Sequence, residues 1–275
     1  MSTFGKEGHK PVTGRGFERY RAVLEEHWSQ WFLVGLLTLL GLAPFGFGLL
    51  LAITSESVLV LFAACVIGGV FAGPALCGLY DAVFRGLRDA PGRWTDQYKR
   101  ALARNWKEAL VPGIFFCLMV GAYLFMGMLF LWAVVPPTPG TLFLYGVSLC
   151  FFTMLFAVYW PLLVLFDQPG IVRLRNTILF CIRYFPRVLG VALLELLFWG
   201  FLILFMPWTG ILLFVLWFMV YAASFLLYDK IDEAFQVEAQ IARLFPEQTP
   251  FYETDEEWIA RRQAEDRQRL HNRNP

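Results

Sequence analysis

Histidine is scarce in this chain and confined to its polar ends, at His9, His27 and His271. That argues against a histidine-based metal centre or proton relay, which needs its ligands gathered in one place. The five cysteines, Cys65, Cys77, Cys117, Cys150 and Cys181, stand singly in or beside apolar runs with no CxxC. Each reads as a small buried apolar residue. No stretch reads as a strand, so no glycine-rich phosphate loop follows one. No Ser-His-Asp set or carboxylate pair stands at catalytic spacing either. The expectation is a protein that is not an enzyme, takes no cofactor and does not bind nucleic acid.

Charge is thin as well, at 16% of residues against 58% hydrophobic. A hydrocarbon core about 30 Å thick takes roughly 20 apolar residues in a helix, and several runs reach that length with no Lys or Arg. These runs predict an all-α, polytopic transmembrane helix bundle of about six spans, near 31–54, 57–84, 110–135, 142–166, 188–207 and 210–228. The implied organisation is a cytoplasmic segment 1–27, a membrane domain 28–228 with basic arms at 85–109 and 168–187, and a cytoplasmic tail 229–275. The opening residues carry no cleavable signal pattern. Spacing from Phe17 to Trp31 predicts a short helix lying at the membrane surface.

Lys and Arg are absent from TSES (54–57), PPTPGT (136–141) and PWTG (207–210). The amino-terminal segment, Arg85–Lys107, Arg173–Arg187 and the chain from Lys230 onward hold five, seven, four and seven, which accounts for all 23. Positive-inside bias then predicts both termini and both arms in the cytoplasm.

The two basic links read against each other. Pro74 to Asp81 matches Pro161 to Asp167, and Arg104-Asn105-Trp106 to Leu110 matches Arg183 to Leu189. The likeness admits two readings: a parallel repeat of two span–arm–span hairpins, or proline, aromatic and basic residues shared by composition alone. Pro74 and Pro161 are expected to break or bend their helices at similar depth, and Gly69 with Gly73 to bring the second span close to a neighbour.

Both arms predict amphipathic helices. One apolar face runs through Trp94, Tyr98, Ala101, Leu102, Trp106 and Ala109, the other through Ile171, Leu174, Ile178, Ile182 and Phe185. Such arms either anchor the hairpins at anionic headgroups or dock a partner, with Arg104, Asn105, Trp106 and Arg183 as the candidate motif. After Leu227 the last span should continue as a helix over 229–245, with a capping box at Thr254–Glu257 opening another. The tail, acidic against the basic arms, either folds on them or stays solvated. Membrane lipids are the expected partners, together with a membrane or cytoplasmic protein held through arms or tail. The sequence also allows a homo-oligomer.

Glu195 is the only acid or base deep within an apolar span, seven residues and roughly 10 Å beyond Val188. A charge there is costly, so the carboxylate should face the bundle interior and find a partner. Equal counts along the fourth and sixth spans reach Tyr159 and Tyr221, the predicted hydrogen-bond partners. A small-solute transporter or channel built around Glu195 is the alternative to a transport-associated component.

Gly73-Pro74-Ala75, Leu79-Tyr80, Phe84-Arg85-Gly86-Leu87, Gly92, Tyr98, Ala101 and Asn105-Trp106-Lys107 resemble the signature of the YesL-like family. The detailed likeness covers about residues 73–110. It implies a multi-pass bacterial plasma-membrane protein, of a kind often associated with carbohydrate uptake and breakdown. It carries over no catalytic or binding residue.

Overall fold

The computed structural model describes residues 16–88, 94–132, 136–205 and 210–237. These residues form α1 (Gly16–Thr54), α2 (Val58–Leu87), α3 (Trp94–Trp132), α4 (Pro139–Leu165), α5 (Gly170–Arg183), α6 (Phe185–Leu204) and α7 (Leu216–Phe235). A 3-10 turn over Gly210–Val215 leads into α7, and no strand occurs among the described residues. Six of the helices, all but α5, are long and apolar enough to cross a membrane. The chain is an all-helical, multi-pass bundle.

Local chemistry sets the boundaries. Ser57 accepts the Val60 N–H at the start of α2, and Thr138 accepts the Thr141 N–H at the start of α4, each satisfying an otherwise orphaned donor. Pro139 occupies the first turn of α4, where its missing N–H costs nothing. Tyr184 interrupts α5 and α6 next to Pro186, and α6 restarts as Arg187 and Val188 donate to the Tyr184 carbonyl. Gln236 closes α7 in the left-handed conformation.

Glycine makes α2 the hub. A Cβ on Gly69 would lie 2.4 Å from the Ile114 Cα, and one on Gly73 would lie 2.3 Å from the Ala109 carbonyl oxygen. The helix backbones of α2 and α3 therefore touch, as the 69/73 pair predicts. On the opposite flank Gly41, Gly48 and Gly68 let α1 approach α2 as closely. α4 and α7 complete the ring around α2, and α6 rests on α4 and α7.

At 39 residues each, α1 and α3 run about 58 Å, nearly twice the hydrocarbon thickness. The excess lies at the basic end. The main core lies there too, with nearly every α2 residue from Ala72 to Leu87 buried. The first half of α4 is exposed on most sides.

Three expectations need correction. Residues 17–31 are no separate surface helix: they continue into α1, where Val23 and Trp31 are buried and Arg19 donates to the Leu87 carbonyl. The first arm is likewise the opening of α3, one unbroken helix from Trp94, whereas the second arm is the separate helix α5. Of the two alternatives for Pro74 and Pro161, a break is not met: α2 and α4 run through them, because in an apolar medium the remaining backbone groups have no better partner than the helix itself. The helical continuation after Leu227 extends to Phe235 and is closed by Gln236, and the tail from residue 238 on, with the capping box, lies outside the described residues.

Candidate functional site

A cluster of charges ties the helices together at the basic end. Asp81, only 3% exposed on α2, pairs with the Arg85 guanidinium at 2.6 Å and with Arg104 of α3 at 3.7 Å. Arg104 also donates to the Val164 carbonyl at 3.2 Å, which fastens α3 to α4. Arg173 of α5, 1% exposed, is held by Glu108 of α3 and by the Gln168 carbonyl at 2.7 Å. Its guanidinium stands 5.9 Å over the Tyr159 ring. The buried Cys77 lies within electrostatic range of Asp81, Arg104, Glu108 and Arg173 alike. An isolated buried ion would cost several kcal/mol, so each of these charges depends on its partners.

The arms meet this cluster with faces that periodicity alone did not predict. On α3 the buried stripe is Ala101, Asn105 and Ala109, with Trp94 and Tyr98 half-buried in line. Trp106 points outward, 47% exposed, with Lys107 stacked over it at 5.8 Å. One residue is about 100° of helix rotation, so Trp106 on the expected apolar face turns outward while Asn105 takes the bundle-facing position. On α5 the expected apolar face is the outer one. Arg173, Thr177, Phe180 and Cys181 face the bundle, while Ile171, Leu174, Ile178, Ile182 and Phe185 face out. An ion-paired bundle end takes the polar face, and the apolar face is left exposed. Arg183, on that outer side, stacks over Tyr184 at 5.3 Å and takes no part in the cluster.

A cleft of about 60 Å³ opens beside Asp81. His27, Gln30, Arg85 and the rings of Trp31, Trp94 and Tyr98 line it. Glycines again set the geometry: Trp31 lies against Gly86 and Tyr98 against Gly78, each ring too close for a Cβ. The Trp31 indole N–H donates to the Ala82 carbonyl at 3.1 Å. The volume suits a few waters.

Glu195 sits partly covered on α6, and the buried Tyr80 of α2 lies within its electrostatic range. Tyr80 stacks on Trp160 of α4, with centroids 6.4 Å apart. The Trp160 indole N–H is buried without an acceptor among the described residues. The proposed partners are corrected. Tyr221 donates to the Tyr20 carbonyl at 2.8 Å and packs on Tyr20 and Trp31, on the α1 side of the bundle. Tyr159 faces Arg173, and neither tyrosine hydrogen-bonds Glu195 among the described contacts. Counting residues fixes depth in a helix but not the direction a side chain takes around it.

Sequence reasoning missed Asp81, Glu108, Arg173 and Tyr80. Tyr80-Asp81 does mark the point where the chain leaves its apolar run, a signal that could have been read as a site. Nothing local separates Arg173 or Glu108 from the other arm charges. Comparison of the chain with protein-family models, with curated proteins and with solved structures returned no match.

Proposed function

We propose that this protein is a non-enzymatic component of a solute-uptake system of the bacterial plasma membrane, holding a partner on its cytoplasmic arm. The observation that carries the reading is the contrast within one helix turn of α3. Asn105 is buried beside the Asp81–Arg104 pair while Trp106, Lys107 and, a turn or two earlier, Lys99 and Arg100 stand exposed. Ion pairs and glycine contacts hold the arm rigid, so this aromatic and basic surface is pre-organised, which lowers the ordering cost of binding. Exposed aromatic residues beside cations are the usual anchors of protein interfaces. The distribution of Lys and Arg supports the cytoplasmic assignment of this face. The resemblance to the YesL-like family supports the bacterial setting and points to carbohydrate uptake.

The test places a photo-cross-linking amino acid at position 106 in native membranes, with position 144, on the exposed first half of α4, as the control. A discrete protein adduct is expected from 106 and not from 144. Adducts no stronger at 106 than at 144 would refute the docking surface.

A second reading has one observation in its favour. Glu195 of α6 lies within electrostatic range of Tyr80 of α2, across the two hairpins, where a transporter would hold a proton or small solute. The purified protein alone in proteoliposomes separates the two. Solute flux that Glu195→Gln abolishes would replace the component reading, and absence of flux from the wild-type protein would remove the transporter.

A further inference from the structure

The cleft beside Asp81 gathers polar groups that the ion pairs leave idle. Asp81 accepts the Arg85 Nε–H at 2.6 Å through Oδ2. Its other oxygen, Oδ1, stands 3.7 Å from Arg104, too far for a hydrogen bond, and accepts from no other donor among the described residues. Arg85 spends only Nε on Asp81, and its two terminal nitrogens make no hydrogen bond among the described residues. Gln30 lines the cleft with both of them and bonds no group among the described residues. A free acceptor, a free guanidinium fork and a free amide therefore border one space.

A ligand that satisfies both ends must carry both charges. An anion alone would face the Asp81 carboxylate, and a cation alone would face Arg85. The idle oxygen and the idle nitrogens belong to the two sides of a single salt bridge, so the ligand's charges must sit on neighbouring groups. A carboxylate matches the planar guanidinium fork. An ammonium supplies the donor that Oδ1 lacks, and the rings of Trp94 and Tyr98 line the same space, where they favour a cation. Size follows from the cleft's volume of about 60 Å³. At about 10–15 Å³ of such space per water, it takes the place of about four to six waters, hence about five non-hydrogen atoms. The walls are fixed: Trp31 lies against Gly86 and donates to the Ala82 carbonyl, and Tyr98 lies against Gly78.

We propose that this cleft binds a small zwitterionic α-amino acid of glycine or alanine size, its carboxylate held by the Arg85 terminal nitrogens and Gln30 and its ammonium by Asp81. Longer side chains exceed the space. The site is independent of the partner surface, because Trp94 and Tyr98 lie on the half-buried face of α3 and Trp106 on the exposed one.

The experiment titrates the full chain in detergent micelles with glycine, acetate, methylammonium and leucine, each read by isothermal calorimetry. Glycine should give a saturable heat. Acetate and methylammonium, each carrying half of the ligand, should bind at least about tenfold more weakly, the effect of losing one charge-assisted contact. Leucine should not bind. Arg85→Lys keeps the charge beside Asp81 but not the fork, and should weaken glycine about tenfold. Trp106→Ala should leave glycine binding unchanged. No saturable heat with glycine would mean that the cleft holds water only and would overturn the site. So would acetate, methylammonium or leucine binding as tightly as glycine, an Arg85→Lys protein that binds like wild type, or a Trp106→Ala effect as large as that of Arg85→Lys. Should Arg85→Lys fail to fold, Gln30→Leu, which touches no ion pair, is expected to weaken glycine about fivefold, and an unchanged affinity would overturn the site equally.

Discussion

Gly73→Leu is expected to leave little folded protein. A Cβ at this position would stand 2.3 Å from the Ala109 carbonyl oxygen and 3.0 Å from the Gly113 Cα. Both atoms belong to the α3 backbone, which cannot swing aside as a side chain can. The two helices would have to part along a seam that also sets Gly69 against Ile114. Overpacking a core typically costs about 1–3 kcal/mol, and displacing a whole helix from the hub should exceed that range. Gly146, with nothing near its would-be Cβ, is the control. Gly146→Ala should be neutral or stabilising by up to about 1 kcal/mol, through helix propensity alone. Size-exclusion profiles of detergent-solubilised protein after graded heating would show the difference. A Gly73→Leu protein that melts with the wild type would disprove the backbone contact.

Glu108→Ala should produce the second large effect, by stranding Arg173. That guanidinium is almost fully enclosed, its Nε already lacks an acceptor among the described residues, and Gln168 would be its one remaining hydrogen-bond acceptor. Breaking a buried pair from one side usually costs about 3–5 kcal/mol. Glu108 is itself 43% exposed, so water can partly replace it and about 2–3 kcal/mol is expected. Removing both charges, as Arg173→Met with Glu108→Ala, should bring stability back to within about 1 kcal/mol of wild type, because no uncompensated ion remains. Denaturant unfolding in detergent would measure the cycle. A single variant as stable as wild type, or a double variant no better than the single, would show that the pair carries no such weight.

The pair also marks how far local sequence reaches. Arg173 stands in an arm beside Arg175 with nothing in the chain to distinguish them, yet one is sealed against Glu108 and the other is exposed. The same holds for Asn105 and Trp106. Hydrophobicity favours burying the indole, while the approach of α3 to α2 through Gly73 and Gly113 turns Asn105 inward. For Glu195, sequence supplied the need for a partner and a depth, while packing set Tyr221 on the Tyr20 carbonyl and Tyr159 beneath Arg173.

Sequence by itself determined that the chain is a helical membrane bundle, how many helices are apolar enough to cross, and where the glycine seam would run. These follow from hydrophobic length, from the need of every backbone group for a partner in lipid, and from the close approach that only glycine permits. Tertiary structure alone decided which charges are buried, that the first arm is the opening of α3 while the second is the separate helix α5, and which face of α5 meets the bundle. Those outcomes depend on the rotation of each helix about its own axis. That rotation is set by contacts between residues such as Glu108 and Arg173, or Arg104 and Val164, that lie about sixty positions apart in the chain.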